Sequence, residues 1–383
     1  MNVIVAIDSL KGSLSSLQAG AAAKAGILRA IPDAIVSVKP VADGGEGTVT
    51  ALVSGLSGRS VTIAITGPLG ETVEATYGIL PDHTAVIEMA EAAGLPLVSA
   101  EKRNPMITTT YGVGEMILHA LDEGCRSFII GIGGSATNDG GTGMLRALGC
   151  RFRKADGSEI ALGAQELSKL ATIETEALDP RLKESHFSIA CDVTNPLCGT
   201  NGASYIFAPQ KGADPATVRK LDAALAHLAD ITAVTLGTDL RDQPGAGAAG
   251  GLGFAFASYL NGTLRPGVDI VLDAVLPEFE LRAADIVVTG EGSFDGQTAM
   301  GKAPVGIARR AKACGCKVIV LAGSIEHSGV RATQQNPPLI DAVFPILPGV
   351  LTLEEAMREE AAYENMEYTA EQVFRVVGIE NKT

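Results

Sequence analysis

The sequence predicts an α/β fold: a discontinuous parallel-sheet domain built from both ends of the chain, with a second, mixed α/β domain inserted. Three observations predict it. Residues 3–56 alternate apolar strand with helix, and residues 286–377 return to that rhythm. Between them, residues 60–89 hold three short strands joined by tight turns, the pattern of an antiparallel meander. Composition agrees: 46 % of the 383 residues are hydrophobic but only 4 % aromatic, so the core is built from Ala, Val, Ile and Leu, as in helix-covered parallel sheets.

In chain order, the apolar run at 3–7 reads as a strand ended by Asp8-Ser9. A helix follows at 15–30, where Leu17, Ala21, Ile27 and Leu28 share a face and Pro32-Asp33 breaks it. A strand at 35–41 and a helix at 47–56 complete a βαβα start. The meander spans 60–66, 71–79 and 84–89, with Gly-Pro-Leu-Gly and Pro-Asp-His turns. A helix at 112–123 and a strand at 126–132 resume the α/β rhythm. Short strands lie around 155–157 and at 187–191, and residues 214–262 read as helical apart from a break at 244–247. Strands at 286–288, 318–321 and 342–344, a helix at 302–313 and an amphipathic closing helix at 353–377 finish the chain. The expected division is 1–57, 95–148 and 280–383 in the core domain and 58–94 with 149–279 in the second, with the active site in the cleft between them.

A formal charge of −14, with no Lys/Arg run longer than two, argues against nucleic acid as a partner. The start MNVIVAID enters a strand at once and has no signal-peptide pattern, and the longest uncharged stretch, 245–264, is too rich in glycine for a membrane span. Six cysteines without a CxxC pair read as reduced thiols, so the expectation is a cytoplasmic protein. The expected partner is a small molecule, not nucleic acid or membrane, with a homodimer left open.

The chemistry is concentrated in glycine-acid loops that follow predicted strands. They are Asp8-Ser9-Leu10-Lys11-Gly12-Ser13, Asp43-Gly44-Gly45-Glu46-Gly47-Thr48, the stretch 131–143 (GIGGSATNDGGTG), Cys191-Asp192-Val193-Thr194-Asn195 and Gly290-Glu291-Gly292-Ser293-Phe294-Asp295. Taken singly, each is ordinary turn chemistry. Open parallel sheets bind ligands outside the carboxyl ends of their strands, and five polar loops at that edge converge on one site. Glycine lets backbone N–H groups approach an anion closely, which makes 131–143 a candidate phosphate cradle. Lys11 is placed to hold a phosphate or carboxylate, and Asp43, Asp139 and Asp192 to bind Mg²⁺ or take a hydroxyl proton.

Known signatures do not account for these loops. There is no GxxxxGK[ST]. Gly245-Ala246-Gly247-Ala248-Ala249-Gly250 matches GxGxxG, but no strand feeds it. Gly131-Ile132-Gly133-Gly134-Ser135-Ala136 matches GxGxxA but does not run straight into a helix. An NAD-dependent dehydrogenase of a small hydroxy acid rests on those two matches alone; a non-catalytic sugar-acid sensor has no sequence support. The five histidines lack a GxSxG partner, so acyl transfer has little basis.

Together the motifs resemble the bacterial type-1 glycerate kinases, in order from residue 2 to about 375. Pro40-Val41-Ala42 joined to Asp43-Gly44-Gly45-Glu46-Gly47, and Gly-Gly-Ser-Ala-Thr-Asn-Asp-Gly-Gly at 133–141, are the most specific. The resemblance implies a Rossmann-like first domain and phosphorylation of D-glycerate by ATP with Mg²⁺, giving 2-phosphoglycerate in sugar-acid and glyoxylate catabolism. On that basis Asp192, Lys11 and Asp43 are the catalytic candidates. Gly133, Gly134, Ser135, Asn138, Asp139, Gly140, Gly141 and Glu291 are expected at the nucleotide, Asp8, Ser9, Asn195 and Ser293 at the substrate, and Asp43, Glu46 and Asp295 at the metal. The chain departs from the family pattern at Ile7 and Leu10, where proline and an aromatic are usual, and at Ser293, where a basic residue is frequent.

Overall fold

The computed structural model describes residues 1–42, 47–296, 303–333 and 338–378. Thirteen strands occur among them, numbered in chain order: β1 (Asn2–Ile7), β2 (Ile35–Val38), β3 (Arg59–Thr66), β4 (Thr72–Ile79), β5 (Thr84–Glu88), β6 (Ser127–Gly131), β7 (Arg151–Lys154), β8 (Leu170–Glu174), β9 (His186–Ala190), β10 (Thr263–Arg265), β11 (Ile286–Phe294), β12 (Lys317–Ile325) and β13 (Ala342–Pro345). They form two compact units, Met1–Asp43 with Val271–Thr383 and Gly44–Ile270.

The first unit is a parallel five-stranded sheet in the order β13-β12-β11-β1-β2. Val3 to Ile7 are all buried, as expected for a strand covered on both faces. The helix Ser16–Ala30 starts with a capping box, Ser15 accepting from the Gln18 N–H and the Gln18 side chain accepting from the Ser15 N–H. It packs on the helix Glu359–Val377 through Ile27, Met366, Ala370 and Phe374. A Cβ on Gly26 would stand 2.0 Å from the Glu367 carbonyl oxygen, so only glycine permits this crossing. The closing helix is broken at Arg358, where φ −65° is joined to an extended ψ of 128°, into Leu353–Met357 and Glu359–Val377.

The second unit is a mixed six-stranded sheet, β10-β9-β6-β5-β4-β3. Strands β10, β9, β6 and β5 run parallel, while β3 and β4 form the antiparallel meander with β5. Its core includes Phe128 stacked on Phe187 at 4.7 Å between ring centroids. A separate hairpin pairs β7 with β8.

The division differs from the expected one. Residues 95–148 lie in the second unit because β6 pairs with β5 on one side and β9 on the other. The helix Thr48–Gly55 lies there too, packed on β4 and β5. Strand β11 is longer than expected, so Gly290 to Phe294 are strand residues, not a loop.

Candidate active site

In the first unit, Asp8 follows β1, and its N–H donates to the Gly290 carbonyl at 2.9 Å. Its Oδ1 accepts from the Ser9 N–H at 2.7 Å. Leu10 and Leu14 are buried and exchange backbone hydrogen bonds of 2.8 and 3.0 Å. They peg a tight loop whose exposed tip is Lys11 and Gly12, the latter at φ +80°. The next helix begins at Ser16, whose buried hydroxyl donates to the Ile7 carbonyl at 2.6 Å and accepts from the Val41 N–H at 2.8 Å. One hydroxyl thereby ties the end of β1 to the segment after β2 that leads into residues 43–46.

On β11, Glu291 is buried and Ser293 exposed, with Ser324 Oγ 2.9 Å from Ser293 Oγ across the pair. A Cβ on Gly292 would lie 3.7 Å from Leu10 Cα, so this strand end adjoins the Lys11 loop. The structure therefore brings Asp8, Ser9, Lys11, Glu291 and Ser293 to one sheet edge. Asp295, half-buried, follows β11 with its carbonyl against the helix His327–Thr333. Asp43 and Glu46 lie outside the described residues.

In the second unit, β6 ends at Gly131 and the chain emerges at Gly133 and Gly134, both exposed. Among the described residues, and leaving aside its two chain neighbours, no atom lies within 4 Å of where a Gly133 Cβ would be. The chain then turns inward. Ser135, Thr137, Asn138, Asp139, Gly140 and Gly141 are all buried. Asp139 accepts from the Thr110 N–H and hydroxyl at 2.9 Å each, and from the Gly141 and Gly143 N–H groups at 3.1 and 3.2 Å. Burial pushes its carboxyl above the usual range, and these hydrogen bonds pull it back. Gly140 and Gly141, at φ +62° and +73°, pack against Leu228 and Ala255 so closely that a Cβ would come within 2.3 and 2.4 Å. Five of the eight residues expected at the nucleotide are thus interior groups that shape the loop. Only the Gly133–Gly134 turn opens to solvent.

Lys211 completes this interior. It is 2 % exposed and donates to Ser135 Oγ and to the Thr137 carbonyl, each at 2.6 Å. Burial brings its amine down to about 7, against the opposing pull of the Asp139 carboxylate. Nothing in local sequence marks this lysine, because its partners lie more than seventy positions away.

At the end of β9, Asp192 is exposed, and its Oδ1 accepts from the N–H of Gly267, the first residue of the helix Gly267–Val275, at 2.9 Å. Asn195 is turned toward its own loop, donating to the Asn201 carbonyl at 2.8 Å. Beside Asp192, burial pushes the Cys191 thiol up, which keeps it protonated. Two charged residues join this edge unannounced. Glu88 ends β5 opposite Gly131 and accepts from the Val49 N–H at the start of the helix Thr48–Gly55, at 2.8 Å. Arg265 ends β10 opposite Ala190, its carbonyl accepting from the Cys191 N–H at 2.9 Å. The signal for Glu88 was an acid closing an apolar parallel strand; β10 is too short to read. Across the sheet the edge runs Arg265, Asp192, Gly133–Gly134, Glu88.

The second glycine motif is packing. Residues 245–250 are all buried, and the Gly250 carbonyl accepts from the Gly140 N–H at 3.0 Å. Among the described residues no helix is long and apolar enough to cross a membrane.

Parallel strands whose carboxyl ends carry glycine turns, carboxylates and basic residues are the usual ligand-binding edge of an α/β enzyme. The comparisons narrow the class. A model of the glycerate kinase family matches residues 3–378. The chain is 50 % identical over 374 residues to a glycerate kinase of Bacillus subtilis (strain 168), covering 97 % of each chain. It is 48 % identical over 367 residues to a glycerate 2-kinase of Escherichia coli (strain K12), covering 96 % of this chain and 95 % of that one. A crystal structure of a candidate glycerate kinase 2 from Salmonella typhimurium LT2 superposes with a TM-score of 0.90, at 46 % identity and complete coverage of both chains. The chain belongs to the glycerate kinase family, and it is an enzyme of the phosphotransferase class with an alcohol group as acceptor.

Proposed function

We propose that this enzyme transfers the γ-phosphoryl group of ATP to a hydroxyl of D-glycerate and yields 2-phosphoglycerate, within cytoplasmic sugar-acid and glyoxylate catabolism. The observation that carries the proposal is the near-full-length match to a relative named glycerate 2-kinase. In-line phosphoryl transfer asks a protein mainly to position reactants and stabilise charge. Gly133 and Gly134 offer backbone N–H groups to the nucleotide phosphates, backed by the buried groups of 135–141. Lys11, at the tip of a leucine-pegged loop, holds the transferring phosphoryl group or the glycerate carboxylate. Asp192 orients the glycerate hydroxyl and takes its proton, with Asp43 the alternative; its Oδ1 accepts from the Gly267 N–H, which fixes the carboxylate at the strand end. Asp8, Ser9, Asn195 and Ser293 contact the substrate, and Glu291 lies on the nucleotide side.

Mg²⁺ is proposed as the accompanying ion. It takes hard oxygen donors, commonly one or two carboxylates plus phosphates and water. Asp295 supplies such a group, and Asp43 and Glu46 are the others. Among the described residues, which exclude Asp43 and Glu46, no three His, Cys, Asp or Glu side chains come together to hold a metal. When bound, it would offset phosphate charge.

A coupled ADP-release assay across glycerate, tartronate and hydroxypyruvate tests the activity, followed by NMR of the phosphorylated carbon. Glycerate-dependent ADP release with phosphate on carbon 2 is expected. Absence of that release sinks the kinase assignment, and phosphate on carbon 3 sinks the product.

A further inference from the structure

A lysine amine is among the costliest groups to bury, and it is kept inside only where it is fully hydrogen-bonded or charge-compensated. Lys211 has both. Its acceptors, Ser135 Oγ and the Thr137 carbonyl, fall within three residues of each other, directly after the exposed Gly133–Gly134 turn. Its own backbone is fixed. Lys211 N–H donates to the Ala208 carbonyl at 3.0 Å, and Gly212, at φ +97°, closes the turn so tightly against Arg103 that a Cβ would lie 2.3 Å from the Arg103 carbonyl oxygen. The glycine turn is held on its other side by backbone bonds from Leu95 N–H to the Gly134 carbonyl and from Ala136 N–H to the Ala93 carbonyl, both 2.8 Å. Two glycines at a strand end have wide conformational freedom. Restraint on both sides leaves the exposed turn one shape.

We propose that Lys211 is a positioning residue for the phosphotransfer reaction, holding the Gly133–Gly134 turn in the shape that receives a phosphorylated ligand. It touches no reactant and acts through Ser135 and Thr137. The choice of ATP as that ligand rests on the function proposed above.

The test is Lys211→Met, which keeps a flexible, unbranched side chain one atom shorter and removes the amine that makes both hydrogen bonds. In the enzyme, KM for ATP should rise roughly tenfold or more while kcat stays within about threefold, as expected when loss of two buried hydrogen bonds loosens a ground-state contact. KM for glycerate should not move. Should KM for glycerate rise instead, Lys211 still positions the turn, and the assignment of the turn to ATP fails. Unchanged KM for both substrates overturns the proposal, as does a fall in kcat alone. Should Lys211→Met not fold, Ser135→Ala removes one acceptor with almost no change in volume. A smaller rise in the same KM is then expected, and no rise overturns the proposal. Where both variants fold, their double mutant should be less impaired than the product of the singles, because both act through one contact.

Discussion

Ser16 and Ser15 are neighbours with unequal structural duties, and replacing each by alanine measures the difference. Ser16→Ala deletes a hydroxyl that is 6 % exposed. It removes the 2.6 Å bond to the Ile7 carbonyl and leaves the Val41 N–H without its 2.8 Å acceptor. Val41 is itself 2 % exposed, so solvent does not replace that acceptor. A buried unsatisfied donor costs about 1–3 kcal/mol and a second lost hydrogen bond about 1, giving roughly 2–4 kcal/mol. Ser15→Ala removes an exposed helix cap and should cost about 1 kcal/mol. Because a folding unit of 150–250 residues loses about 2–4 °C per kcal/mol, the Ser16 variant should melt some 4–16 °C lower. Amide hydrogen exchange supplies the local readout: protection at Val41 should fall in Ser16→Ala and hold in Ser15→Ala. If the two variants melt alike and Val41 remains protected, the tie between the end of β1 and the segment leading to residues 43–46 is not what the geometry says.

Three further outcomes follow from the site. Lys11→Ala should lower kcat/KM by at least roughly tenfold, the scale of a charge-assisted phosphate contact of about 1.5–3 kcal/mol, with little change in melting because the side chain is exposed at a loop tip; near-wild-type kinetics would remove it from the site. Asp192→Asn keeps an acceptor for the Gly267 N–H, so the fold should persist and kcat should fall with nucleotide affinity largely kept. Lost ATP binding with surviving chemistry would instead make Asp192 a nucleotide or metal residue. Lys211 gives a pH signature. Its amine, held down to about 7 in the fold, returns to 10.5 when the chain unfolds, so between those values the unfolded state binds the extra proton. This contribution to stability therefore rises with pH across that window. Urea midpoints of wild type and Lys211→Met, compared from pH 7 to 9, should show that rise in the wild type alone, and parallel curves would rule it out.

Much of this was legible along the chain. The runs at 3–7 and 127–131, and the glycine-acid motifs after them, lie within local windows where period and turn chemistry speak directly. The meander at 59–88 was legible for the same reason: its pairing partners are neighbours in sequence. The assignment of 95–148 to a sheet was not. An apolar five-residue strand has no marking for which sheet it joins, and β6 found its place only through its pairing with β5 and β9.

The site divides along the same line. Sequence alone determined that Asp8, Lys11, Gly133, Gly134 and Asp192 end strands as polar loops, because an apolar run followed by glycine and an acid has few other local structures. It also determined the family, since those motifs occur in a fixed order. Tertiary structure decided which of these groups face outward. Asp139, Gly140 and Gly141 carry the most diagnostic letters of the chain, yet they lie inside it, where Thr110, Leu228 and Ala255 enclose them. Tertiary structure also brought in Lys211, Glu88 and Arg265, none of which belongs to a motif. Burial and long-range hydrogen bonds depend on partners far away in sequence, and only the packed fold brings those partners within reach.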